Sequence, residues 1–154
     1  MLDIGDQIKA ILAKEKAERL KTTSQLMLGE FILQLESVTD KTKKVIFDNP
    51  NYMPINFDSW RGVYEDLMLE YDVLDENKLL AVSDWIEKAK ECLGKTFTGY
   101  KGGDFTMGKN TILWVSQYAS CGGFKQTKDL PYQAVVGIEE TESVVVILTE
   151  AMDI

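Results

Sequence analysis

The strongest strand pattern in the chain is "QAVVGIEETESVVVILTEA", residues 133–151. Two runs rich in valine and isoleucine flank a short polar segment around Thr141 and Glu142. β-Branched residues favour extended backbone, and a short polar break between two such runs is typical of a tight turn. The pattern therefore predicts an antiparallel hairpin, and with it a protein built on a sheet.

Three segments upstream also have strand character: "KKVIFDNP" at 43–50, "VYEDLMLEYD" at 63–72 and "TILWVSQY" at 111–118. In the second segment, alternate side chains form two sets. We expect one set to face the core and the other, which includes Asp66 and Glu70, to be more exposed to solvent. The segment "NYMPINFDSWRG", residues 51–62, contains too many aromatic residues for a disordered linker. We therefore expect it to be an ordered loop.

Helical spacing predicts an amphipathic helix at residues 3–21, a second helix at 28–38 and a third in "SDWIEKAKECLGK", residues 83–95. In the third helix we expect Ser83 to be the N-cap and Gly94 to end the helix in the left-handed conformation. The predicted fold class is α+β, with an antiparallel sheet of about five strands and helices on one face. Residues 1–22 form the predicted N-terminal helix, a candidate for homo-oligomer assembly, and residues 23–154 a single α+β domain.

The net charge of −8 is concentrated after residue 50. Residues 1–50 carry eight basic and eight acidic side chains, whereas residues 51–100 carry five and ten. This balance argues against direct nucleic-acid binding through a broad basic face and leaves an acidic surface available to a basic partner. The longest apolar run is only five residues, and the first ten residues lack a secretion signal, so we expect a cytosolic protein without a membrane partner.

The chain contains no histidine, and its two cysteines, Cys92 and Cys121, have no metal-ligand neighbours at useful spacing. The lack of histidine excludes Ser-His-Asp and Cys-His catalysis and histidine general bases. It also removes most kinds of zinc site. We therefore expect neither a metal nor a cofactor, and two reduced thiols fit a cytosolic compartment.

A glycine-rich stretch, "GKTFTGYKGGDFTMG" at residues 94–108, resembles a phosphate-binding loop at first sight. A Walker loop follows a strand and opens a helix, where the helix dipole favours phosphate. Here the "GKT" closes a helix, so the P-loop is rejected, and a Rossmann fingerprint fails because no helix follows the glycines. Two alternatives remain for the rest of the stretch: a ligand loop around Tyr100 and Lys101, or turns of a hairpin whose aromatic residues join the core.

Arg61 lies in "NFDSWRGVYEDL", residues 56–67, between Trp60 and Gly62. A rigid, bidentate guanidinium held among aromatic residues is well suited to clamp an anion. The alternative is an ion pair with Asp58 or Asp66 that pins the segment. The two roles are compatible if a ligand displaces the partner.

Carboxylates in the same regions would supply a magnesium or acid–base site if they met in space. The residues concerned are Asp58, Glu65, Asp66, Glu70 and Asp104. Nothing in their spacing requires such a meeting, so we expect no catalytic residue among them.

The pair of segments "FDSWRGVYEDLMLEY" (57–71) and "GKTFTGYKGGDFTM" (94–107) resembles a family of small accessory proteins encoded by bacteriophages and prophages. The resemblance covers roughly residues 24–115. It implies a non-structural phage protein, and many such proteins counter host defence. Some sequester a small nucleotide signal, and others block a defence protein directly.

We therefore expect a non-enzymatic phage protein of the host cytoplasm that sequesters a nucleotide-derived immune signal. Arg61, Lys101 and the Gly102–Gly103 backbone are expected on phosphate, and Trp60, Tyr100 and Phe105 on base or ribose. Tyr64 and Asp104 complete the predicted ligand-binding set. The alternative is an acidic inhibitor of the anti-CRISPR or anti-restriction type, and a third interpretation is a metal-dependent nucleotide hydrolase based on the carboxylates.

Overall fold

The computed structural model describes residues 25–99, 102–118, 120–124 and 127–153. The predicted helix at 3–21 and the predicted domain division at residue 22 lie outside these ranges. The described elements are, in chain order, α1 (Leu28–Glu36), β1 (Lys44–Phe47), β2 (Tyr52–Ser59), β3 (Leu67–Val73), a 3-10 turn (Glu76–Lys78), α2 (Val82–Cys92), β4 (Thr96–Thr98), β5 (Asp104–Thr106), β6 (Leu113–Ser116), β7 (Tyr132–Glu140) and β8 (Val144–Met152).

Six of these strands form one mixed sheet in the order β1–β8–β7–β6–β3–β2. β1 runs parallel to β8 and β3 runs parallel to β6, while the other neighbours are antiparallel. The edge strands β1 and β2 also contact each other, so the sheet curls until it nearly closes into a barrel. The predicted α+β class is confirmed, but the antiparallel sheet of about five strands is wrong in both strand number and direction.

One cause of the wrong strand count is the segment at residues 51–62, which is not a loop. It contains β2, which pairs with β3 along its length and has a bulge between Pro54 and Asn56. A proline lacks the N–H that a central strand needs, but it is tolerated on an edge strand or beside a bulge. β2 is an edge strand of this kind, and its C-terminal end leads directly into Trp60 and Arg61.

The C-terminal hairpin is confirmed. β7 and β8 pair antiparallel from Tyr132 opposite Met152 to Glu140 opposite Val145. The turn is closed by Thr141, whose N–H donates to the Val144 carbonyl at 2.8 Å. This hairpin lies between β1 and β6 in the sheet, so β8 pairs with β1 on one side and β7 pairs with β6 on the other.

Both helices pack on the same face of the sheet. α1 buries Leu28, Phe31, Ile32 and Leu35, and α2 buries Val82, Trp85, Ala89 and Cys92, in one cluster with the inner side chains of the strands. No helix among the residues that the structure describes has the length and apolar character required to cross a bilayer.

The ends of α2 test two predictions. Gly94 follows the helix with φ of 81°, which confirms the left-handed residue expected there. Ser83 is not the N-cap, because Ala81 occupies that position and donates its N–H to the Asp84 carboxylate at 3.0 Å. The helix starts one residue before Ser83, at Val82, whose N–H donates to the Lys43 carbonyl at 2.9 Å.

A second apolar cluster lies on the opposite face of the sheet. It contains Trp60, Met68, Ile112, Trp114 and Ala134, all essentially inaccessible to solvent. β3 and β6 are therefore buried on both faces, and the predicted wet face of β3 is wrong. The cluster is the frame on which the candidate site is built.

Candidate functional site

The two segments singled out in the sequence meet at a cleft of about 230 Å³. We name it the Arg61 cleft, and its lining residues are Asp58, Ser59, Arg61, Tyr64, Met68, Thr98 and Tyr118. They come from the end of β2, the segment that follows it, the start of β3, the β4–β5 hairpin and the residues after β6. Of the glycine-rich stretch, Thr98 is the residue that lines this cleft with Arg61 among those that the structure describes.

The segment at residues 60–66 is held by its own hydrogen bonds. Ser59 donates its hydroxyl to the Tyr64 carbonyl at 3.0 Å, and the Trp60 N–H donates to the Asp66 carbonyl at 3.0 Å. Gly62 lies against the Trp60 ring so closely that a Cβ there would collide with it. The sequence "WRG" therefore encodes a tight turn that projects Arg61 into solvent.

Trp60 does not take the ligand-stacking role that the sequence predicted. Its side chain is fully buried and lies stacked on Trp114, with ring centroids 4.2 Å apart and planes inclined by 12°. The Trp60 indole N–H donates to the Cys121 carbonyl at 3.3 Å. No face of the Trp60 ring is available to a ligand, because the side chain lies in the second cluster. Trp60 therefore anchors the segment that carries the cleft and does not contact the ligand.

The glycine-rich stretch forms a second, two-stranded sheet, in which Phe97 pairs with Phe105 across β4 and β5. The Gly99 N–H donates to the Gly103 carbonyl at 2.9 Å, and Gly102 and Gly103 adopt φ of 88° and 85°. The hairpin alternative is therefore the local structure. Since Gly94, Lys95 and Thr96 link the end of α2 to β4, the rejection of a P-loop is confirmed.

Contact between the hairpin and the Arg61 segment runs through Tyr64. Its ring centroid lies 5.8 Å from that of Phe105, and a Cβ on the buried Gly99 would lie 3.3 Å from the Tyr64 ring. Phe105 is half-buried and packs on the core, so it forms a wall behind the cleft. Asp104 is exposed, and its carboxylate accepts the Thr98 hydroxyl at 3.1 Å.

The remaining predicted residues fall into two groups. Tyr100 and Lys101 lie outside the described residues, and their predicted roles stay predictions. Gly102 and Gly103 are exposed at the tip of the hairpin, beyond the residues that line the cleft.

The five predicted carboxylates do not meet at one place: Asp58 lines the cleft, and Asp66 is buried. Asp66 is 1% exposed and accepts the Trp114 indole N–H at 2.9 Å, so its predicted place on a solvated face is wrong. Glu70 is half-buried rather than solvated. Burial raises the pKa of the Glu70 carboxyl, and the nearby Asp58 charge raises it further, against a lowering by the Tyr118 backbone N–H.

Metal binding finds little support among the described residues, which contain no group of three or more histidine, cysteine, aspartate or glutamate side chains able to hold an ion. Cys92 is also a poor nucleophile, because burial raises the pKa of its thiol to about 11. The cleft instead offers a guanidinium, hydroxyls, carboxylate oxygens and two phenol rings, which suit binding of a small polar ligand.

Sequence reasoning missed Thr98 and Tyr118. Tyr118 is 69% exposed at the mouth of the cleft and belongs to a polar connection after β6, in "SQYASCGG" at residues 116–123. An aromatic residue among small polar ones is a weak signal of a binding surface. The position of Tyr118 beside Arg61 depends on the parallel pairing of β3 with β6, which local sequence patterns do not reveal.

Comparison of the chain with protein-family models, with curated proteins and with solved structures finds no match.

Proposed function

We propose that the protein binds a nucleotide-derived immune signal in the Arg61 cleft and so withholds it from a bacterial defence system. The proposal includes a bacteriophage or prophage origin and a site of action in the host cytoplasm. In this proposal the protein only binds the ligand, so the ligand is released chemically unchanged.

The observation that carries the proposal is the meeting of Arg61 with aromatic and hydroxyl groups at one concave site. A guanidinium at the rim supplies a bidentate donor for phosphate. Tyr64 and Tyr118 supply faces on which a base can stack, a contact worth about 1–3 kcal/mol per base. These three groups match the phosphate and base of a nucleotide.

Sequestration is favoured over turnover by the chemistry of the chain. It has no histidine to serve as a general base, and the buried Cys92 thiol has a pKa of about 11. The metal-dependent hydrolase interpretation rests on carboxylates, and Asp66 is buried and is not one of the residues that line the cleft. Incubation of the protein with a bound nucleotide and Mg²⁺, followed by chromatography, tests this directly. Any turnover of the nucleotide would favour the hydrolase over sequestration.

Isothermal titration calorimetry with cyclic and ADP-ribose-type nucleotides tests binding. We expect Arg61→Ala to weaken binding by about ten- to a hundredfold, because a hydrogen bond to a charged group is worth about 1.5–3 kcal/mol. Lys78→Ala is the matched control, since Lys78 is an exposed cation beyond the far end of β3. Absence of heat with every nucleotide, or equal affinity of Arg61→Ala and wild type, refutes the proposal.

The natural ligand can be sought independently of a chosen panel. The protein is purified from bacteria whose defence system is active, and small molecules released by denaturation are identified by mass spectrometry. Arg61→Ala purified in parallel should release less of the same molecule.

A second candidate function is direct inhibition of a host defence protein. α2 carries the exposed side chains of Asp84, Glu87 and Glu91 at helical spacing, which gives that surface an acidic stripe. Such a stripe complements a basic partner. The candidate predicts a complex that co-purifies with a host effector, weakens in salt and is lost in a Glu87→Lys, Glu91→Lys double variant, whereas Arg61→Ala leaves it intact.

A further inference from the structure

The Arg61 cleft contains both a cationic hydrogen-bond donor and an anionic acceptor. Arg61 contributes hydrogen-bond donors to its lining, whereas Asp58 contributes acceptors. An ionised carboxylate has about four lone-pair positions, and the Ser59 N–H occupies one of those of Asp58 at 2.8 Å. The described residues supply no second hydrogen bond to this carboxylate, so its other positions are open to donors from a ligand or from water.

Strand register places a second carboxylate beside Asp58. Asp58 lies opposite Met68 and Asn56 lies opposite Glu70, so Asp58 and Glu70 project from the same face of the sheet as diagonal neighbours. Such neighbours are roughly 7–8 Å apart. Burial is the largest cause of the raised pKa of the Glu70 carboxyl, and the Asp58 charge adds to it. A phosphate is therefore repelled from this part of the cleft.

The size of the cleft limits what enters it. At about 230 Å³ it is smaller than the roughly 300–1,000 Å³ of pockets that enclose drug-sized ligands. It accommodates one moiety of a nucleotide, while the rest of the ligand extends past Arg61.

We propose that this moiety is an unmodified ribose, whose 2′- and 3′-hydroxyls donate to the Asp58 carboxylate while the phosphate lies outward at Arg61. The inference rests on the proposed function and specifies its ligand class: a nucleotide with a free ribose diol. Acidic side chains accept ribose hydroxyls in the same manner in dinucleotide-binding sites. Deoxyribonucleotides and nucleotides with a closed 2′,3′-cyclic phosphate should bind more weakly, because they lack one or both donors.

Calorimetry with matched ligands tests the inference. ADP-ribose, AMP and adenosine are each titrated beside the corresponding 2′-deoxy compound, and inorganic phosphate is titrated alone. We expect each ribose compound to bind about ten- to a hundredfold more tightly than its deoxy counterpart. Inorganic phosphate should bind far more weakly than AMP.

Asp58→Asn is the decisive variant. It retains the oxygen that accepts the Ser59 N–H but loses the charge and half of the acceptor capacity. The preference for ribose over deoxyribose should fall at least threefold, a change that general unfolding does not produce. Asp72→Asn is the control, because Asp72 is an exposed carboxylate further along β3 and does not line the cleft.

The outcomes separate the two proposals. If nucleotides bind but ribose and deoxyribose compounds bind equally, or if Asp58→Asn keeps the full preference, the inference is wrong and sequestration stands. If none of the nucleotides or nucleosides binds, both proposals are wrong.

Discussion

Trp60 supplies most of the packing that holds the Arg61 segment in place. Its ring stacks on Trp114 and meets Tyr132 edge-on, with ring centroids 5.4 Å apart. Large aromatic side chains contribute strongly to a core through buried area and through favourable ring geometry. Arg61, the next residue, is exposed and contributes to the cleft rather than to the core.

Substitution of these two neighbours should therefore reduce stability to very different extents. Trp60→Ala should lower the free energy of unfolding by about 3–5 kcal/mol, because it leaves a large cavity beside Trp114. Arg61→Ala should lower it by less than about 1 kcal/mol. Urea denaturation followed by circular dichroism measures both, and similar losses in the two variants would contradict the assignment of Trp60 as an anchor.

Glu140 ties the end of β7 to the segment before β1. Its carboxylate accepts the Thr39 backbone N–H at 2.9 Å, the Thr39 hydroxyl at 2.7 Å and the Lys43 ammonium at 2.9 Å. These donors favour the ionised form. They lower the pKa of Glu140 from 4.5 to about 2, with the Thr39 N–H as the largest cause.

The lowered pKa predicts an acid-dependent loss of stability. A depressed folded-state pKa stabilises the protein fully above the unfolded value near 4.5, and this stabilisation is lost as the pH falls towards 2. We expect Glu140→Gln to be less stable than wild type at pH 7 and to lose less stability between pH 4.5 and 2. Denaturant titrations at several pH values measure the free energy of unfolding, with Glu139→Gln at an exposed position as the control. If the free energy of unfolding of Glu140→Gln depends on pH as in wild type, the stabilising role of Glu140 is contradicted.

The β4–β5 hairpin is the least extensive element near the cleft, with three residues in each strand. Its turn depends on positive φ at Gly102 and Gly103, a region that residues with a side chain adopt only at a cost. The hairpin also carries Thr98 and supports Tyr64 through Phe105. Its geometry therefore determines one wall of the cleft.

Gly103→Ala should loosen this hairpin selectively. The left-handed conformation costs an alanine roughly 1–2 kcal/mol, so amide hydrogen exchange at Gly99, whose N–H donates to the Gly103 carbonyl, should accelerate about five- to thirtyfold. Gly108→Ala is the control, because Gly108 has an ordinary φ and a Cβ at that position would meet only open space. Equal exchange rates at Gly99 in the two variants would show that the positive φ does not hold the turn.

Element-scale prediction from sequence succeeded where the pattern is local. The helix expected at 28–38 is α1, and the C-terminal hairpin follows from two β-branched runs and the polar turn between them. β2 was missed because an edge strand tolerates Pro54 and a bulge, features that resemble a loop in the sequence. The prediction of a solvated face on β3 is wrong because Trp60, which follows the end of the neighbouring strand, covers that face.

At the scale of the molecule, pairings between distant residues dominate the sheet. Lys44 of β1 pairs with Val144 of β8, and the Leu26 N–H donates to the Val135 carbonyl. The α+β class was predictable from local patterns, whereas the parallel pairs were not, because no local signal indicates which distant strands become neighbours. The same limit applies to the cleft: Arg61 was identified in the sequence, but Tyr118 joins it only through the β3–β6 pair.

These long-range pairs predict slow folding. Loops must close before such contacts form, so domains of this kind refold in milliseconds to seconds rather than microseconds. All three tryptophans are fully buried, so stopped-flow fluorescence after dilution from urea reports the process. Complete refolding within microseconds would contradict the topology described here.

The turn at "WRG" has a consequence for selection. Trp60 and Gly62 are fixed by their mutual contact, whereas Arg61 and Tyr118 are exposed side chains that meet at the cleft from separate segments. Substitutions at exposed positions usually leave stability within about 0.5 kcal/mol. Substitutions at Arg61 or Tyr118 can therefore change the surface of the cleft one residue at a time, while the contact between Trp60 and Gly62 stays constant.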